Sequence, residues 1–571
     1  MIGGILLAES LHRLGVRDMF MLHGGHLDPL LIGCASLGIR LIDTRHEATA
    51  GHAAEVMGML KPDTVGVCAI TAGPAFTNAL TAMASAYANA LPALFIAGAP
   101  PTRETETNEL QGGFSQLPMA VSVTKWAHRI LSGDRIPDIV EKAMRIAQTG
   151  RPGPVLLEVP IDIMFREVPR VLFPIAETPS SPAKPAPSTQ DAKDFLAAIA
   201  SAERPVLIGG TGAITSGAGT AIDRFARLTG VPVVTNSKAH GLLPHDHPAN
   251  FGPASTLAVL NATGAPRPDL VILAGARAGL LLGGRSHAII PKDARLLQID
   301  IEASEIGRMT PVELGLVADA AETFELLDEL ATEQSWPELA EWRATLAKAH
   351  NFAPFEQEEA VCNSGRLHPH HAAKAVFDAI SPDATVVVDG GEMTAWCEPL
   401  NRASRPGGYL TAGYLGTLGF GPGYAIGAAV ARPETPVFLI AGDGAIGFHL
   451  QEFDTMARHN LPIITIIMNN ACWAMSKNGQ DLVFGKEHRV AVDLCDRAYE
   501  DVARALGCDG ERVERIEDIG PAIARACASG RPTCINIATD ADVVHPITFG
   551  MAGTDPTKGK IAMPYYQNEN G

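Results

Sequence analysis

Three times along this chain, short apolar runs alternate with stretches of helical period. Asp18 to Leu22, Thr64 to Ile70, Ala93 to Ala97 and Val155 to Val159 read as strands of a first unit. Pro205 to Ile208, Val231 to Thr235, Leu270 to Ala274 and Leu296 to Ile299 repeat the pattern, as do Thr385 to Val388, Val437 to Ala441, Ile463 to Met468 and Thr533 to Ile537. Such alternation implies right-handed crossovers and parallel sheets with helices on both faces. The expected fold class is α/β, with three doubly wound parallel-sheet domains.

The pattern fails between Arg166 and Lys193, where Pro169, Pro174, Pro179, Pro182, Pro185 and Pro187 lie among Ser, Thr and Ala. That composition makes a semi-rigid, non-helical connection. The expected domains are 1–165, 194–335 and 367–545, joined by a linker at 166–193 and a connector at 336–366, with a tail at 546–571. The Pro, Gly and aromatic residues of the tail suit a lid over an active site or a loose end.

A net charge of -18, from 63 acidic against 45 basic residues, would repel polyanions. Neither nucleic acid nor an anionic membrane is an expected partner, and an anionic ligand must use a local site. Nine cysteines, odd in number and without a CxxC pair, argue for reduced thiols in a cytosol. Met1 to Ala8 is apolar but lacks a basic leader and a cleavage site, and no apolar run approaches membrane-spanning length. The expectation is a soluble, cytoplasmic protein.

Chemistry concentrates after Val437 to Ala441. Gly442-Asp443-Gly444-Ala445, a helical stretch and another apolar strand lead to Asn469-Asn470. A carboxylate and an amide oxygen are hard ligands suited to octahedral Mg²⁺, and glycines beside Asp443 let backbone approach a phosphate. A lone Gly-Asp-Gly is only a strand-terminating turn. With the following strand and Asn-Asn in order, the segment reads as a diphosphate–metal cradle.

The whole segment resembles the thiamine-diphosphate signature of the acetolactate synthase superfamily. The resemblance implies metal ligation by Asp443, Asn470 and the carbonyl of Cys472, with Gly442, Gly444 and Ala445 against the diphosphate. Thr44-Arg45-His46-Glu47 resembles the family's Arg-His-Glu segment and puts Glu47 at N1′ of the cofactor pyrimidine, where a protonated acid favours the 4′-imino tautomer. The alternative is a helix-start glutamate paired with Arg45. Thr71 to Asn78 resembles the turn beside the pyrimidine, with Gly73 and Asn78 as contacts and Ala75 in place of a usual glycine. Leu418, in Tyr414 to Gly419, takes the place of the side chain that bends the cofactor, and the loop with Gly390, Gly391, Glu392 and Met393 matches the contact with aminopyrimidine and diphosphate. The three units become pyrimidine-binding, middle nucleotide-type and diphosphate-binding domains. The family pairs the pyrimidine domain of one subunit with the diphosphate domain of another, which implies a homodimer at least, with a homotetramer expected. The middle domain holds FAD in some relatives and ADP or the CoA nucleotide in others, and the sequence leaves that choice open.

Departures from the synthase pattern bear on the substrate. Leu418 replaces methionine, Gly479 falls at or beside a tryptophan that narrows the synthase pocket, and Leu22-His23-Gly24-Gly25-His26 puts imidazoles where substrate should sit. These changes resemble the bacterial 2-hydroxyacyl-CoA lyases, with His23 or His26 moving the hydroxyl proton and Arg277 or Arg285 meeting a CoA phosphate. Gln111 joins the catalytic candidates, and Phe114 and Gln116 the substrate-facing ones, although the Tyr-Glu pair of oxalyl-CoA decarboxylase has no obvious counterpart there. The other reading is an acetolactate-synthase-like carboligase or diketone hydrolase acting on free 2-oxo acids or diketones.

Overall fold

The structure, a computed structural model, describes residues 1–61, 64–104, 107, 110–176 and 182–548. The tail from residue 549, and with it most of the expected lid, lies outside the described residues. Eighteen strands form three six-stranded sheets in which every pairing between named strands is parallel.

The first sheet contains β1 (Asp18–Met21), β2 (Arg40–Asp43), β3 (Gly66–Ile70), β4 (Ala93–Ala99), β5 (Trp126–Arg129) and β6 (Pro154–Pro160), in the order β2-β1-β3-β4-β6-β5. The second contains β7 (Pro205–Gly209), β8 (Val233–Thr235), β9 (Asn250–Pro253), β10 (Leu270–Ala274), β11 (Arg295–Asp300) and β12 (Leu314–Val317), ordered β12-β11-β10-β7-β8-β9. The third contains β13 (Thr385–Asp389), β14 (Tyr409–Leu410), β15 (Val437–Gly442), β16 (Ile463–Asn469), β17 (Asp509–Val513) and β18 (Thr533–Ala538), ordered β14-β13-β15-β16-β18-β17. The first and third sheets therefore share one topology. The second has the strand order of dinucleotide-binding folds, with the chain reversing direction between β7 and β10.

One core joins the first unit to the third. Phe20, Cys68 and Phe95 of the first sheet and Leu439 and Ile467 of the third belong to a single buried cluster, with the helices Glu47–Leu60 and Gly421–Ala431 between them. Glycines set how close these helices come. A Cβ at Gly423 would lie 2.8 Å from the Thr49 carbonyl oxygen, and one at Gly427 would lie 2.5 Å from that of Ala53.

The middle unit is pinned at the same junction. Lys238 is fully buried, 5.7 Å from the centre of the Tyr424 ring, and its Nζ has no hydrogen-bond partner among the described residues. Glu55 lies at the same junction, its Oε1 accepting from Asn89 and from Tyr424, each at 2.7 Å. Burial depresses the Lys238 ammonium to about 8, against the pull of Glu55. Among the described residues, no helix is long and apolar enough to cross a membrane.

Candidate functional site

Parallel pairing brings together what the sequence separates. Gly442 of β15 is opposite Met468 of β16, so Asp443 and Asn470 leave the ends of adjacent strands side by side. Asn469 points inward and donates to Asn536 and Asp496, whereas Asn470 opens the loop above. The Asn470 side-chain oxygen accepts from the Cys472 N–H at 3.2 Å and from its thiol at 3.4 Å. Flanking backbone bonds use the Ala471 carbonyl and the Trp473 N–H, and they leave the Cys472 carbonyl free of that ladder.

Asp443 is 2% exposed and its Oδ2 has no hydrogen-bond partner among the described residues. Burial pushes its carboxyl up to about 6, against neighbouring backbone amides of Gly444, Asn470 and Ala471 that pull the other way. A buried carboxylate oxygen left without a partner is a cost that a cation removes. A Cβ at Gly442 would meet nothing within 4 Å, whereas one at Gly444 would lie 2.5 Å from the Trp473 ring. Three oxygen donors beside open backbone fit Mg²⁺ and a diphosphate. The single helical stretch expected after Gly-Asp-Gly is in fact two short helices, Asp443–Ile446 and Glu452–Arg458.

Gly390, with φ of 135°, brings a second glycine turn toward this one: a Cβ there would sit 3.5 Å from the Gly442 nitrogen. Asp389 is fully buried and accepts from the N–H groups of Gly419, at 3.3 Å, and Gly421, at 2.8 Å. It seats the loop that carries the half-buried Leu418. Two side chains depart from their expected cofactor contact. Met393 packs into the outer core with Trp396 and Phe438. Glu392 accepts from Asn478 at 2.8 Å and from the His545 N–H at 3.1 Å, so protein groups occupy its carboxylate, leaving the backbone of Gly390 and Gly391 as the part of this loop nearest the cradle.

In the first unit, Glu47 opens its helix at 8% exposure and accepts from Asn78 Nδ2 at 2.9 Å. Arg45 turns instead to Asp454, at 3.8 Å, and donates its backbone N–H to Glu452, which removes the reading of Glu47 as an Arg45 partner. Gly73 adopts φ of 69°, and its N–H donates to Gln116 Oε1 at 2.9 Å. Gln116, 2% exposed, also donates to Gly98 and Glu158. It supports the Gly73 turn and does not present its amide to substrate, which corrects the expectation. Gln111 backs the same turn in a left-handed conformation, φ 60°, while Phe114 stands 43% exposed.

The two loop histidines differ. His23 is 65% exposed at its side chain and pairs with Asp28 at 3.0 Å. His26 is half-buried against Thr71, with Nδ1 3.0 Å from Oγ1, and burial lowers its pKa. His26 therefore sits beside the Thr71 to Gly73 turn with its imidazole neutral at pH 7.

A cavity of about 580 Å³ opens at the strand ends of the middle unit. It is lined by Gly210, Gly212 and Asp300 of that unit, Arg151 of the first and Tyr414 of the third. Arg277 also lines it, stacked 3.9 Å from the Tyr414 ring centre, 3.7 Å from Glu305 and donating to the Ala88 carbonyl at 2.6 Å. The side chain of Arg285 is outside what the structure describes.

Residues 1–119 match the family described as thiamine pyrophosphate enzyme, N-terminal TPP binding domain; 192–327 match its central domain and 389–537 its C-terminal TPP binding domain. The acetolactate synthase large subunit IlvG of Mycobacterium tuberculosis is 34% identical over 554 residues, covering 96% of this chain and 98% of that protein. The 2-hydroxyacyl-CoA lyase 2 of Caenorhabditis elegans is 30% identical over 556 residues, covering 90% and 84%. The human 2-hydroxyacyl-CoA lyase 2 is 30% identical over 592 residues, covering 94% and 89%. The chain belongs to the acetolactate synthase and 2-hydroxyacyl-CoA lyase family of thiamine-diphosphate enzymes.

Within this thiamine-diphosphate enzyme, two side chains that the sequence does not single out hold the loop around Leu418: Asp389, through Gly419 and Gly421, and His449, whose Nδ1 is 2.8 Å from the Gly419 carbonyl. Only a buried charge at a strand end hinted at Asp389, and nothing local marked His449.

Proposed function

We propose that this enzyme cleaves a 2-hydroxyacyl-CoA to formyl-CoA and an aldehyde or ketone, and runs the condensation in reverse. The observation that carries this reading is Gly479, on the helix that follows the metal segment: a Cβ there would meet nothing within 4 Å. In this reading that space takes part of a substrate larger than pyruvate. When bound, thiamine diphosphate supplies a nucleophilic carbon and a sink for the electron pair released as the carbon–carbon bond breaks.

The chain's own groups do the rest. Asp443, Asn470 and the Cys472 carbonyl would hold Mg²⁺ and thereby the diphosphate. Glu47, oriented by Asn78, would hold a proton at the pyrimidine N1′, and Leu418 would pack against the bound cofactor. His26 takes the substrate hydroxyl proton and returns it to the formyl carbon. In this reading Glu47 and Asp443 serve one site from different subunits, so a homodimer is the minimum unit and a homotetramer its expected assembly. The middle cavity, with Arg151 and Arg277 on its wall, takes an ADP, FAD or CoA nucleotide.

A second reading is favoured by the 34% identity to an acetolactate synthase over 98% of that protein. It makes the enzyme a carboligase or diketone hydrolase acting on free 2-oxo acids or diketones. Incubation with thiamine diphosphate, Mg²⁺, formyl-CoA and a ketone, against pyruvate alone, separates the two. A 2-hydroxyacyl-CoA product supports the lyase; acetolactate from pyruvate with no acyl-CoA turnover overturns it.

A further inference from the structure

Two cofactor loops of this chain, the one carrying Glu47 and the one carrying Leu418, meet at a single side chain. His449 lies in the turn after the Asp443–Ile446 helix, 9% exposed. Its Nδ1 is 2.8 Å from the Gly419 carbonyl, so that nitrogen carries the proton and donates. On its other side the ring packs edge-on against His46, with centroids 4.9 Å apart at 64°.

Each neighbour is itself fixed. Gly419, at φ of 79°, follows Leu418 directly and donates its own N–H to Asp389. A Cβ on Gly419 would lie 3.0 Å from His449 Nδ1, so the ring leaves no room for a side chain at that position of the loop. His46 is the N-cap of the Glu47 helix, its Nδ1 accepting from the Ala48 N–H at 3.1 Å. Glu452, on the helix that follows His449, accepts the Arg45 N–H one residue earlier. The charged and titratable groups around the ring are His46 and His52 of the first unit, and burial holds His449 at about 4, neutral at working pH.

We infer that His449 is a positioning residue, a strut that sets the Leu418 loop through its Nδ1–H and the Glu47 loop through its ring. This rests on the reading of Leu418 and Glu47 as cofactor residues. The two contacts are chemically separable. Phenylalanine at 449 keeps a ring against His46 but strands the buried Gly419 carbonyl. Asparagine places Nδ2 close to where Nδ1 was and keeps the donor, but removes most of the ring.

The test uses the full-length enzyme with thiamine diphosphate and Mg²⁺, and reads two quantities: cofactor affinity by calorimetry, and hydrogen–deuterium exchange at the cofactor C2 at saturation by NMR. His449→Phe should lower affinity about 10-fold, the effect of one stranded buried carbonyl, with exchange close to wild type. His449→Asn should bind within about 3-fold of wild type yet exchange about 10-fold more slowly, because the Glu47 loop has lost its ring contact. Any other pattern overturns the strut, including two variants that lose affinity and exchange together in step with a lowered melting temperature. If the wild type itself binds no thiamine diphosphate, the underlying cofactor reading is what fails.

Discussion

Asn78 donates to Glu47 Oε2 across 2.9 Å, fixing a carboxylate that opens one helix with an amide from the second turn of another. The bond orients Glu47 without neutralising it. Glu47→Gln should keep fold and cofactor binding and lose turnover by about 100- to 10,000-fold, because an amide cannot hold the N1′ proton. Hydrogen–deuterium exchange at the cofactor C2 is the check, and a wild-type rate in the variant refutes the assignment.

Asp443 gives opposite results with and without metal. At pH 7, above its pKa of about 6, the buried carboxylate, its Oδ2 without a hydrogen-bond partner among the described residues, destabilises the metal-free protein. Asp443→Asn should therefore melt above wild type without Mg²⁺, and should lower Mg²⁺-dependent cofactor affinity more than about 100-fold. Undiminished calorimetric affinity would remove Asp443 from the metal site.

His545 closes the last described segment over Glu392 and stands edge-on to Trp396, 4.5 Å between centroids. Burial lowers its pKa to about 4, opposed by Glu398 and reinforced by His370. A depressed imidazole contributes stability that is complete above its unfolded value of about 6.5 and lost as pH falls toward 4. Wild type should lose on the order of 2 kcal/mol more than His545→Phe between pH 7 and pH 4.5, in paired denaturation curves. Parallel curves contradict the clamp.

Glycines on two helices should respond in opposite senses. Gly427→Ala puts a methyl against the Ala53 carbonyl and should cost about 1–3 kcal/mol. Gly479→Ala meets open space within a helix and should gain about 0.5–1 kcal/mol. Gly479→Trp should fold and raise the KM for a 2-hydroxyacyl-CoA far more than cofactor affinity; an unchanged KM takes substrate away from that space.

At the three-unit junction, Lys238→Met should be neutral or mildly stabilising, since the ammonium has no hydrogen-bond partner among the described residues and Glu55 keeps its bonds from Asn89 and Tyr424. Glu55→Ala should cost about 3–5 kcal/mol, stranding those donors beside a buried cation. Chemical denaturation of both variants decides it.

The twelve strands legible in the sequence are the twelve interior ones, and the six that were not, β2, β5, β9, β12, β14 and β17, are the six sheet edges. An interior strand is buried on both faces and must be a continuous apolar run, as Val437 to Ala441 is. An edge strand such as Trp126–Arg129 is covered on fewer sides, carries polar residues and leaves no periodic mark. The same division runs through the site. Gly-Asp-Gly, Asn-Asn and Arg-His-Glu are contiguous, because a turn that approaches a ligand needs particular neighbours in the chain, so sequence determined the candidate cradle and the candidate acid. Tertiary structure alone decided that Gln116 faces Gly73, that Glu392 and Met393 turn inward and that His449 reaches both Gly419 and His46. Those contacts join residues far apart in the chain, and the direction of a side chain across packed units is set by the partner it meets, which no local pattern records.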